Sequence, residues 1–242
     1  MTPILATAAV ILAAFIKGAI GFGFPTLGTP LLALFIDVKT AVALLIVPNI
    51  VMDTIQFVRG GAPVLTVRRF ASLVVFGAAG MIAGTKLLVM LPPGRLLVIL
   101  GVFVLLFVAL NSTRFSPRLP PGWEPWMSPV AGFVGGVVGG VTNVPGTLVI
   151  IYFYSLRLAK AEFVSSVAFS FMVYKLVQLG SVAWFGLLTW PVLGASVGLT
   201  LAGLGGFALG LRVQDRLEQR AFNRVVLAFL ALLGAWLVIR GG

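Results

Sequence analysis

The sequence predicts an all-α integral membrane protein made of two inverted repeats, and three observations lead there. Hydrophobic residues make up 60% of the 242-residue chain and charged residues 10%, with a mean hydropathy of +1.14. A soluble domain carries about 25% charged residues, so this chain has too few to cover a water-facing surface. Six apolar runs lie along it, at residues 38–57, 70–90, 96–110, 163–184, 192–211 and 221–239. Most approach the ~20 residues that a helix needs to cross the hydrocarbon core. Finally, one Gly/Pro-rich interruption occurs in each half of the chain, ahead of three of those runs.

Each run is expected to be a helix, because an isolated strand cannot satisfy its backbone in lipid. A closed barrel would need alternating segments of ~10 residues, and these are absent. Residues 4–36 are apolar but broken by Lys17-Gly18-Ala19-Ile20-Gly21-Phe22-Gly23-Phe24-Pro25-Thr26-Leu27-Gly28-Thr29-Pro30. A straight helix of that length would measure ~50 Å at 1.5 Å per residue, too long for a ~30 Å core. Residues 128–156 are broken in the same way by Gly135-Gly136-Val137-Val138-Gly139-Gly140-Val141-Thr142-Asn143-Val144-Pro145-Gly146. Both segments are therefore expected to be helix, break, helix.

Sliding the chain by 115 residues lays Gly21 on Gly136 and Pro30 on Pro145. A slide of 126 lays Gly84 on Gly210 and Lys86 on Arg212. The chain thus divides into a first transmembrane repeat at 1–111, a Pro-rich linker at 112–127 carrying two tryptophans, and a second repeat at 128–242. Counting basic residues sets the topology. If each broken segment crosses the membrane, the loops divide nine to six. If each is re-entrant, one face carries eleven, including Arg59, Arg69, Arg118, Arg157 and Arg224, and the other only Lys39, Lys86, Arg95 and Arg240. Eleven to four is a clear positive-inside signal. The re-entrant arrangement puts both termini on the periplasmic side of the inner membrane. Three crossings per half then invert the second repeat relative to the first, an architecture shared by transporters.

Several functions are excluded by composition. The chain has no Cys and no His, so it lacks disulfides, a cysteine nucleophile, the usual zinc ligands and the usual general base. Its six acids form no metal-ligand cluster, and nothing calls for a cofactor. The net charge of +11 comes from 12 Arg and 5 Lys scattered between apolar runs, which does not resemble a nucleic-acid patch. No basic residue precedes the first apolar run, so a cleavable signal peptide is not expected. An enzyme is disfavoured; a channel is the other membrane function to separate from a carrier.

The breaks are the first candidate site. Packing alone explains glycines at four-residue spacing, such as Gly132, Gly136 and Gly140. It does not explain the prolines flanked by Thr26, Thr29, Thr142, Asn143 and Thr147. Irregular backbone at membrane depth is tolerated where it is buried in protein or lines a cavity. The half-helix after each break offers free N–H groups and a positive dipole end to an anion. Gly21, Gly23, Gly139 and Gly140 are expected to let backbone approach it.

Three charges lie well inside apolar runs, at Lys17, Asp53 and Lys175. Each costs ~2.5–3.5 kcal/mol at the bilayer centre on insertion scales. Lys175 is expected to bind the anion or to pair with Asp53 or a helix carbonyl. Lys17 either joins it or snorkels to an interface. Asp53 either pairs with a lysine or accepts a coupling proton. Asn49 and Gln56 share a helix face with Asp53, and Ser166, Ser170, Tyr174 and Gln178 recur at four-residue spacing. Each of these either lines the site or makes an interhelical hydrogen bond.

The order of Gly-rich break, proline, half-helix and three spans, all repeated, resembles the sulfite exporter TauE/SafE family, also called the toluene sulfonate uptake permease family. Its carriers are Lys17-Gly18-Ala19-Ile20-Gly21-Phe22-Gly23 with Pro30-Leu31-Leu32, and Gly132-Phe133-Val134-Gly135-Gly136-Val137-Val138-Gly139-Gly140 with Pro145. The first break departs from the second in having Phe24-Pro25 where the second has Gly139-Gly140. The resemblance implies transport of sulfite, an organosulfonate or a related small anion, with the bilayer as the other partner. Small carboxylates are the alternative cargo.

Overall fold

The computed structural model describes residues 2–59, 67–112, 118–120, 122–144, 146–214 and 219–242. Among them are ten long helices: α1 (Thr2–Ile20), α2 (Phe24–Leu32), α3 (Val38–Arg59), α4 (Ala71–Met90), α5 (Pro93–Ser112), α6 (Glu124–Thr142), α7 (Gly146–Ser155), α8 (Lys160–Trp184), α9 (Trp190–Val213) and α10 (Gln219–Gly241). The six apolar runs became α3, α4, α5, α8, α9 and α10. Those six and α1 are long and apolar enough to span a bilayer. The protein is an all-α membrane protein.

Length alone does not make α1 a crossing, because α2 folds back beside it. A β-carbon on Gly28 would lie 3.5 Å from that of Ala13 and 3.2 Å from the Leu45 side chain. A continued helix would carry residue 28 about 22 Å beyond residue 13. The second broken segment closes likewise: the Tyr152 hydroxyl donates to Ser128 Oγ at 3.0 Å, and the Leu119 N–H donates to the Ser155 carbonyl at 3.2 Å. Both α1–α2 and α6–α7 are helical hairpins that return to the end they left.

Polar contacts identify the two ends. At one, Arg69 bridges Glu124 and Glu162, each at 2.9 Å. At the other, Lys39 donates to the Val89 carbonyl at 2.6 Å and Arg240 to the Leu34 carbonyl at 3.1 Å. Arg69, Glu124 and Glu162 therefore share an end with the feet of the second hairpin. Arg240 and Lys39 share the other end with the feet of the first.

Backbone packs on backbone where glycines permit. The α4–α6 contact is the most extensive among the described residues. A methyl on Gly136 would fall 2.1 Å from the Gly77 carbonyl oxygen, and one on Gly210 2.1 Å from that of Phe15. Contacts advance in the same direction along both partners, so α4 runs parallel to α6 and α1 parallel to α9. The α5–α10 pair is antiparallel, with Gly94 beside Gly241 and Gly101 beside Gly234. Each hairpin has its own core: Phe24, Leu32 and Leu45 around α2, and Phe70, Tyr152 and Phe153 around α7. A helix-interior proline leaves the carbonyl four residues back without its donor. Pro48 does this to Leu44, and the Ser196 hydroxyl of α9 donates to that carbonyl at 2.7 Å.

Candidate functional site

The two hairpin tips are built differently. In the first, Gly21 and Gly23 adopt left-handed φ values of 99° and 96°. Glycine reaches that region without the β-carbon clash other residues suffer. Pro25 then sits in the first turn of α2, where a missing N–H costs nothing. In the second tip, Asn143 takes the left-handed position at φ 66°, and its N–H caps α6 on the Gly139 carbonyl at 2.8 Å. Asparagine tolerates that backbone and also brings a side-chain amide, which glycine does not.

That amide links the two hairpins. Asn143 Nδ2 donates to Thr29 Oγ1 of α2 at 2.9 Å. Asn143 Oδ1 accepts a hydrogen bond from the ammonium of Lys175 on α8. Lys175 also donates to Gln178 Oε1 at 2.5 Å, and Gln178 Nε2 reaches the Gly140 carbonyl at 3.3 Å and that of Gly139 at 3.5 Å. Thr29, Asn143, Lys175 and Gln178 are fully buried.

The other two intramembrane charges pair with each other. Lys17 Nζ donates to Asp53 Oδ1, and to Asn49 Oδ1 at 3.3 Å. Both members of the pair are 1% exposed, so Lys17 does not snorkel to an interface. Asp53 is not the contact partner of Lys175; it lies within electrostatic range of it and is held by Lys17. Two ammonium groups and one carboxylate thus meet inside the membrane, and one positive charge has no carboxylate in contact. Lys175 is held only by neutral amide oxygens among the described residues.

Further buried polar atoms have no partner among the described residues: Asn49 Nδ2, Asp53 Oδ2, Gln56 Oε1, Ser165 Oγ and Ser166 Oγ. All five lie on α3 and α8, the packed pair of helices that carries Asp53 and Lys175. An unpaired buried polar group costs about 1–3 kcal/mol, so their concentration on one helix pair points to polar contents between them. Gly21 faces Val164 of α8, next to the two serines, and the α-carbon of Gly23 faces open space.

Other predicted site residues are placed elsewhere. Tyr174 points away from the site: its hydroxyl donates to the Leu73 carbonyl at 3.1 Å, and its ring fills the space over Gly77. Gly140 has no side chain because α4 lies against it, where an added β-carbon would meet Met81 O and Thr85 N at 2.6 Å. Only its carbonyl turns toward Gln178. Thr142 donates to its own helix at Val138 and receives the Val144 N–H. Thr26 is buried in the first turn of α2. The side chain of Thr147, like Pro145, Arg114, Asp215, Arg216 and Glu218, lies outside the described residues.

Ser165 was not chosen from the sequence, and Gln178 was named only within a polar stripe that either lines the site or bonds between helices. Gln178 was legible as the i+3 neighbour of a buried lysine. Ser165 had no signal beyond being polar within an apolar span. No curated protein and no solved structure matches this chain. The family model for the sulfite exporter TauE/SafE matches residues 6–237, nearly the whole length. A helical membrane protein with two hairpin tips meeting beside an unbalanced lysine thus belongs to the sulfite exporter TauE/SafE family.

Proposed function

We propose that the protein is a secondary carrier of a small anion, a sulfite or organosulfonate, and that Lys175 supplies the charge that binds it. The observation that carries this reading is the imbalance of Lys17, Asp53 and Lys175 in a sealed interior. Removing an ammonium from water without a counter-charge is costly. An oxyanion beside Lys175 supplies the counter-charge. Asn49 Nδ2, an unpartnered donor beside Lys17 on α3, is offered to such an anion, while Ser165 and Ser166 lie about 14–15 Å from Lys175 along α8, too far to share one small anion with it. Gly23, at the start of α2, sets the positive end of a helix toward the same interior.

The proposed mechanism is alternating access between two inverted repeats. Its support is a pattern of contacts. Exchanging α1–α5 with α6–α10 maps α1–α9 onto α6–α4 and α3–α9 onto α8–α4, while α3–α8 and α5–α10 map onto themselves. The site lies where α3 and α8 meet, and its buried side chains open to neither end. Transport therefore requires the repeats to move against each other, which favours a carrier over a continuous pore. The end bearing Arg69, Arg118 and Arg157 faces the cytoplasm by the positive-inside rule, with both termini on the periplasmic side of the inner membrane.

The test is a melting-temperature panel of sulfite, thiosulfate, a sulfonate and a carboxylate on the purified protein, repeated on Lys175→Met. A bound anion stabilises by mass action. The expected result is stabilisation by a sulfur oxyanion that disappears in Lys175→Met and partly returns in Lys175→Arg, which keeps charge but changes geometry. Undiminished anion stabilisation of Lys175→Met would sink the reading and leave Lys175 a structural residue.

A further inference from the structure

A second site lies away from the charged centre, on the outer flank of the α6–α7 hairpin. Met127, Val130, Ala131 and Val134 recur on α6 at the spacing of one helix face. Across from them on α7 are Leu148 and Ile151. Between these stripes runs an open apolar groove of about 360 Å³. Val130 and Val134 are exposed, so the groove opens sideways toward lipid. At its upper end it runs into a polar cavity of about 260 Å³ lined by Arg69, Arg118, Arg157 and Glu124. Arg118, Leu119 and Ser155 line both spaces, so the two are continuous.

Charge and depth suit one class of occupant. Glu124 and Glu162 both pair with Arg69, whereas Arg118, at the junction of the two spaces, has no carboxylate in contact among the described residues and brings its positive charge to the cavity. Trp126, at the start of α6, is 79% exposed, and Trp123 beside it is 56% exposed. Indoles exposed at the end of a membrane helix mark the headgroup level. The polar cavity is therefore at headgroup depth and the apolar groove at acyl-chain depth.

We infer that this composite groove binds an anionic glycerophospholipid, with one acyl chain between α6 and α7 and the phosphate against Arg118 at the basic end. A soluble anion would fill the cavity and leave the groove unused. A neutral lipid would use the groove and leave the positive charge unmatched. The lipid wedges the two arms of the hairpin whose tip carries Asn143, so occupancy braces that tip.

The experiment uses the purified full chain, delipidated in detergent. Phosphatidylglycerol, phosphatidylcholine of the same chains and inorganic phosphate are each titrated, with retained lipid read by native mass spectrometry and stability by melting temperature. Phosphatidylglycerol is expected to be retained and to raise the melting temperature, the other two to do little. Arg118→Gln should weaken phosphatidylglycerol retention about fivefold, as expected for one basic residue near an anionic headgroup, and Val134→Trp should block the groove. Equal retention of the two lipids would overturn the inference, as would equal stabilisation by phosphate alone. Unchanged retention in both folded variants would do the same. Arg118→Lys, which keeps the charge, must retain the lipid.

Discussion

The two hairpins do the same architectural work and treat their lysine in opposite ways. Beside the first tip, Lys17 is neutralised within the protein by Asp53 and steadied by Asn49. Beside the second, Lys175 meets only the amide oxygens of Asn143 and Gln178 among the described residues. The tips differ correspondingly, with glycines at Gly21 and Gly23 and an asparagine at position 143. One break is a backbone device alone; the other is a backbone device that also places a side chain. The difference teaches that one buried lysine is balanced by a carboxylate within the fold and the other, among the described residues, is not.

The sharpest way to break this comparison is to remove the acid. Asp53→Asn leaves Lys17 buried without a counter-charge and should cost about 3–5 kcal/mol. Denaturation of the detergent-solubilised protein measures it, and the double change Lys17→Met with Asp53→Asn should recover most of the loss. A mild effect of Asp53→Asn alone would mean that the first lysine is no more tied to its partner than the second.

Glycines at the two tips provide the next contrast. Gly140→Val forces a side chain into the α4 backbone and should destabilise the protein by about 1–3 kcal/mol or more. Gly23→Val meets open space, and only its left-handed backbone opposes it, at about 1–2 kcal/mol. It should insert and fold while losing transport, because its side chain would enter the space before α2. Comparing expression and flux separates the two positions; equal folding defects in both would remove the distinction.

A finer test converts the second tip into the first. Asn143→Gly keeps the left-handed backbone and deletes the links to Lys175 and Thr29. A stability loss of about 1–2 kcal/mol is expected, with a larger proportional loss in anion affinity by thermal shift. The smallest effect belongs to Ser196→Ala, which strips the donor from the carbonyl beneath Pro48. Interhelical hydrogen bonds of this kind average about 0.6 kcal/mol, and transport should be unchanged.

The class of the protein, its six long apolar runs and its two breaks were legible in the sequence because they rest on local composition. Glycine and proline density marks a break whatever surrounds it. The partner of Asp53 was not legible, since choosing between Lys17 and Lys175 requires the register of α1 against α3. That register exists only once α2 has folded back and placed Gly28 between Ala13 and Leu45. Tyr174 misled for a geometric reason. A stripe at four-residue spacing drifts around a helix of 3.6 residues per turn, and Tyr174 stands about 100° from its neighbour Lys175. On that side its hydroxyl reaches the Leu73 carbonyl of α4 instead. The packing of Gly140 could not be separated from a site role in the sequence, because a break and a packing stripe end at the same residues, and only the position of α4 shows the packing.

The parallel glycine contacts also set an order of assembly. The second hairpin packs on α4, which is made before it. The first packs on α9, whose last residue, Val213, follows Ile20 by about 190 positions. At 5–20 residues per second that interval is about 10–40 s of synthesis. Throughout it, α1 holds against lipid the face, Ile11, Phe15 and Gly18, that α9 will cover, supported by its own α2. The first half of the chain thus enters the membrane early and is fastened late, and a ribosome that stalls before α9 releases a protein whose N-terminal hairpin was never locked in place.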